Sequence, residues 1–169
     1  MQARAERLYW TSWVVALATT GVVAGFMLSH ALLLGRYLDW LLTSGRARLL
    51  AETYPVFARS DGQAGLDAFY AIAGLQVLSG VAFLAVSALA RRGAATGAIV
   101  GIAAVLWPLV HYASGFGALE AQVLRSSSEV PPAVASVFVR WNGPIHIFHA
   151  MTLTAALGAL VSAPLSARR

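Results

Sequence analysis

Residues 67–119 read DAFYAIAGLQVLSGVAFLAVSALARRGAATGAIVGIAAVLWPLVHYASGFGAL. Two apolar runs, 67–90 and 94–119, flank the tripeptide Arg91-Arg92-Gly93. Each is long enough to cross a bilayer, which takes about 20 apolar residues. Three polar or flexible residues leave room only for a tight turn, so the two helices must be antiparallel neighbours. Two further runs lie outside this hairpin, at about 8–34 and 137–161. The pattern predicts an all-α integral membrane protein of one domain over 1–169. It is a four-helix bundle running up-down-up-down.

Composition agrees. The chain is 59% hydrophobic and 11% charged, where soluble domains are nearer a quarter charged. All twelve basic residues are Arg, scattered between the apolar runs and not gathered into a stripe. That excludes a nucleic-acid surface and points to topology as the source of the positive charge. Arg4, Arg7, Arg91, Arg92, Arg168 and Arg169 fall on one side with only Glu6 against them. Arg36, Arg46, Arg48, Arg59, Arg125 and Arg140 on the other side are balanced by acids. The expectation is a bacterial plasma-membrane protein with both termini cytoplasmic. The N-terminal run continues past the length of a signal sequence without a small-residue cleavage site, and reads as a retained first helix. There are no cysteines, so disulfides, iron–sulfur clusters and thiol–quinone exchange are excluded.

The long outer segment, about 35–66, mixes Leu, Trp and Tyr with Arg and Asp over Tyr37–Phe57. It suits an extension of the first helix followed by an interfacial helix that lies over the bundle mouth. The second outer loop, Arg125–Pro132, is an ordinary Ser/Pro turn. The spacings Gly21–Gly25 and Gly93–Gly97–Gly101 suit close helix packing. Pro108 should kink the third helix. Trp10, Tyr9, Trp40 and Tyr37 fit an aromatic belt.

Ionisable groups inside a bilayer usually face the bundle interior and mark a site. His30, His111, His146 and His149 all fall inside the apolar runs. Counted at 1.5 Å per residue, they share one outer level, and Gln76 reaches it from the second helix. Any one of them is explained by an interhelical hydrogen bond; four at one level suggest a centre. Asn142, His146 and His149, spaced 0, +4, +7, share a face. So do Trp107, His111 and Ser114, and Met27 lies one turn before His30. With no acid inside the helices, a diiron carboxylate centre is disfavoured. The expected ligands are the imidazoles of His30, His111, His146 and His149, which suit copper, zinc, iron or haem b. Trp107, Trp141, Gln76 and Ser114 are the candidate pocket residues. Glu120 and Arg140 stand near the outer end of the cavity.

The stretch Phe138-Val-Arg-Trp-Asn-Gly-Pro-Ile-His146, entering an Ala/Leu-rich last helix, resembles the anthrone oxygenase-like family of small four-helix membrane proteins. Arg140, Trp141 and Asn142 match the family's Trp-Asn segment before its fourth helix. The order of helices and loops is also similar. Where many members are Asn-rich, this chain has Ser114-Gly-Phe-Gly-Ala-Leu-Glu120, and His146 and His149 are not part of the pattern. The resemblance implies oxygenation of a lipophilic phenolic ring system by O₂, with Arg140 and Asn142 stabilising an anionic oxygen.

Three expectations follow. The first is a membrane oxidoreductase for a lipophilic aromatic or quinone-like small molecule, using His146, His149, His111, Arg140 and Asn142. The second is an accessory subunit of a larger respiratory or photosynthetic membrane complex, in which His ligates haem, a chlorin or nothing. The third, a proton or metal-ion carrier, needs polar groups through both halves, whereas the inner half offers only hydroxyls such as Thr19, Thr20, Ser87 and Thr96.

Overall fold

The computed structural model describes residues 2–166. Arg168 and Arg169, used above for orientation, lie outside the described residues. The described residues form seven α-helices and one π-helical segment, with no strand among them. Helix α1 (Gln2–Ser29) passes without a break through the π segment (His30–Leu34) into α2 (Gly35–Thr43). Then come α3 (Ala47–Arg59), α4 (Gln63–Leu89), α5 (Ala94–Ala113), α6 (Phe116–Arg125) and α7 (Pro132–Ser166). The α1–π–α2 rod, α4, α5 and α7 are each long and apolar enough to cross a membrane. The protein is an all-α membrane bundle.

The four long helices stand at the corners of a square. Helix α1 packs on α4 and α7, and α5 packs on the same two, so α1 faces α5 across the diagonal. Glycines set the α4–α5 spacing. A Cβ at Gly80 would lie 2.5 Å from Ala104 Cβ, and one at Gly97 would lie 2.7 Å from Ser87 Cβ. The Gly93–Gly97–Gly101 stripe thus serves ordinary bundle packing. Around Gly25, by contrast, there is open space. The hairpin turn docks back on α1: the Arg92 guanidinium sits 5.3 Å over the Tyr9 ring and 3.2 Å from Glu6.

Side-chain layers stack along the bundle. An inner apolar layer holds Tyr9, Ala16, Phe83, Val100, Ala103, Ala156 and Leu160. A middle one holds Val23, Met27, Trp107, Ala150 and Leu153. The outer one joins Leu38 and Leu41 of α2 and Leu50 of α3 to Phe116 and Val123 of α6 and to Phe138 of α7. Helices α2, α3 and α6 form a roof over the outer end of the square. Helix α3 buries Ala47, Leu50, Ala51 and Pro55 against that roof and leaves Leu49, Val56 and Phe57 exposed. It is amphipathic, as expected of an interfacial helix.

Two sequence expectations are corrected here. The third spanning helix ends at Ala113, not near 119, because Gly115 adopts φ +79°. A side chain disfavours that left-handed backbone. The Ser114 hydroxyl accepts from Phe116 N–H at 3.3 Å and caps the new helix. Second, α5 runs as unbroken α-helix through Pro108. The irregular backbone at depth lies instead in the π segment at His30.

A buried histidine and glutamate layer

The polar layer sits between the middle and outer apolar layers, and its architecture begins with the π segment. The backbone N–H of Gly35 donates to His30 O, an i→i+5 bond. The added residue swells the rod toward α7, and Gly35 lets α7 approach. A Cβ at Gly35 would stand 2.9 Å from His30 O and 3.2 Å from Asn142 Nδ2. Asn142, fully buried, donates from Nδ2 to Gly35 O at 3.0 Å and to Asp39 Oδ1 at 2.8 Å. One amide therefore ties α7 to the π segment and to α2.

One turn further along α7, His146 Nδ1 lies 2.9 Å from Asn142 O. A carbonyl only accepts, so Nδ1 carries the proton and Nε2 presents a lone pair. The His146 ring stacks on His30 at 3.7 Å between centroids, tilted by 20°. His111 and His149 complete the group, 5.5 Å apart and 6.5 and 5.7 Å from His146. The four histidines placed at one depth by counting thus also meet in azimuth.

Glu120 joins them from α6. Its Oε1 lies 3.7 Å from His146 Nε2 and its Oε2 lies 3.6 Å from His111 Nε2. Burial pushes its carboxyl up to about 7, because the charged form loses hydration. One donor atom from each of His30, Glu120 and His146 lies within 4.8 Å of the other two. His30 Nε2, Asn142 Oδ1 and both ring nitrogens of His149 are buried with no protein hydrogen-bond partner. Beneath the layer, Trp107 Nε1 donates to Gln76 Oε1 at 3.0 Å, and the indole edge packs on His149 at 5.7 Å.

The expectation of imidazole ligands alone missed Glu120. It belongs to no spanning helix and enters only because the chain breaks at Gly115. Three candidates fall outside the layer. Arg140 and Trp141 lie on the exposed side of α7, paired by a cation–π contact at 5.7 Å. They follow Phe138 and precede Asn142 on a helix that turns about 100° per residue, so the face that buries those two turns them outward. Ser114 is exposed and caps the break. Gln76 and Trp107 form the floor of the layer.

A cleft of about 250 Å³ opens between the π segment with α2 and α7, lined by Ala31, Gly35, Arg36, Asp39, Asn142, Gly143, Pro144, His146 and Ile147. A second, more apolar groove of about 240 Å³ runs between α2 and α3, with Tyr37, Leu41, Tyr54 and Phe57 in its lining.

No protein family, no curated protein and no solved structure matches this chain.

Proposed function

We propose that this chain is a membrane-embedded oxidoreductase of oxygenase type that acts on a lipophilic aromatic or quinone-like substrate. The observation that carries the reading is the cleft between the π segment and α7. It has His146 in its lining and lies on the side of a bundle that crosses a membrane. A ring system dissolved in lipid reaches the histidines that way, whereas the roof covers the outer end.

The residues support such chemistry. The lone pair on His146 Nε2 accepts a phenolic proton, and imidazole is suited to that task near neutral pH. The anion-stabilising role expected of Arg140 passes to Arg36, whose side chain lines the cleft. With dioxygen as co-reactant, a benzylic methylene becomes a carbonyl and the second oxygen atom leaves as water, so atoms and electrons balance. The stacked His30 and His146 rings leave no gap for a macrocycle between them. That weighs against a haem- or chlorin-carrying accessory subunit at this pair.

The test is oxygen uptake by the protein in lipid nanodiscs with a panel of lipophilic phenols and quinols. His146→Gln should lower turnover about 10²–10⁴-fold, the usual worth of a positioned base. Gly143→Phe should raise KM, since a Cβ at Gly143 meets nothing within 4 Å and the ring would fill the cleft. Absence of turnover across the panel, with oxygen or another acceptor, would sink the reading.

A further inference from the structure

We infer that His30, His146 and Glu120 form a three-ligand site for a divalent first-row transition ion. The inference deepens the oxidoreductase reading by naming what its centre holds, although the ion stands on geometry of its own. Two imidazoles and one carboxylate already face one another from three separate elements: the π segment, α7 and α6. Ligands about 2.1 Å from an ion lie about 3 Å apart in neighbouring positions. Closing from within 4.8 Å asks for side-chain shifts of about an ångström, within the reach of rotamers.

Three further observations favour a ligand here. His30 Nε2 is buried and has no protein partner, and a buried polar nitrogen left unpaired costs about 1–3 kcal/mol. His146 is held in the tautomer a metal needs, because its Nδ1 proton is committed to Asn142 O. Hydrogen bonding of the outer ring nitrogen is the usual way a metal-binding imidazole is oriented. His111, 3.6 Å from the second Glu120 oxygen, stands where a residue would orient the carboxylate.

The donor set selects the ion. Absence of thiolate disfavours the soft cuprous ion, and a carboxylate with two imidazoles suits iron(II) or zinc. Three protein ligands leave coordination positions open for a substrate or dioxygen. His149 is outside the triad, and the ligand set differs in this respect from an imidazole-only centre.

The test takes the full chain in mild detergent, strips it with chelator and titrates it with Co(II) and Zn(II). The expected result is one saturable ion per chain, with visible Co(II) bands of a nitrogen/oxygen site. Glu120→Gln and His146→Gln should each weaken binding at least about 100-fold. Glu120→Asp, which keeps the carboxylate, should retain part of that affinity, and His149→Gln should leave one ion bound. A wild-type protein with no saturable site overturns the inference without recourse to any variant. So does binding that survives Glu120→Gln and is lost in His149→Gln. Oxygen turnover by the stripped protein would remove the ion and keep the oxidoreductase. A bound ion with no turnover on any phenol or quinol would do the reverse.

Discussion

Gly35 shows how closely single residues set the polar layer. Its missing side chain makes room at once for the His30 carbonyl and the Asn142 amide. Gly35→Ala gains about 1 kcal/mol in helix propensity but forces contacts that cost about 1–3 kcal/mol. We expect the unfolding temperature in detergent to fall, and the Co(II) spectrum to change, as Asn142 and His30 are pushed apart. An unchanged melt and spectrum would show that the π segment yields without cost. The sequence disclosed the four histidines and their shared depth, because depth follows from counting along an apolar run. It disclosed less about direction. Asn142, His146 and His149 share a face by their spacing, but which face of α7 is buried depends on where α1 and α5 stand. Arg140 and Trp141, adjacent in sequence to Asn142, turn the other way for that reason.

At the scale of elements, the two irregular joints matter most. The spanning helices were legible from 20-residue apolar windows. The joints were not, because a π segment leaves no distinct pattern in Leu32-Leu33-Leu34, and the Ser114-Gly115 break sits inside an apolar stretch. Its only signal is the S-G-F-G sequence, and overlooking it hid Glu120, which α6 swings back over the bundle. The π segment carries one residue more than an α-helical path, and one residue is about 100° of rotation. Deleting Leu33, which is 70% exposed, should therefore rotate α2 and turn Leu38 and Leu41 out of the roof. The expected outcome is faster tryptic cleavage at Arg46 and Arg48 with the four spanning helices intact. Unaltered cleavage would mean that the roof does not depend on the π register.

Across the whole molecule, the exposed surface is apolar to a degree that requires lipid. Leu89 is 84% and Met151 68% exposed, among many large hydrophobic residues. Orientation is a separate matter, resting on the arginine asymmetry of the loops. Lack of native cysteine makes it directly testable. With both termini cytoplasmic, Ser127→Cys in the second outer loop should react with an impermeant maleimide on intact cells. Ala94→Cys at the hairpin should react only after permeabilisation. The opposite pattern would invert the molecule and place the roof inside. Close packing of the inner half was readable from the glycine stripe. The roof was foreshadowed only as an amphipathic segment, since its partners on α6 are brought by the break.

The side opening of the cleft has a consequence for how any ligand is measured. A molecule that arrives through the bilayer is dosed by its mole fraction among the lipids, and its bulk molarity is nearly irrelevant. Saturation curves taken at different lipid-to-protein ratios should then diverge when plotted against total ligand and collapse onto one curve when plotted in mole per cent. A ligand arriving from water would collapse the other way. His30 lies 22 positions along the helix from Leu8, which is about 33 Å, against about 30 Å of hydrocarbon. The centre would then lie at the boundary of two solvents, one carrying the oily reactant and the other receiving the water that is made.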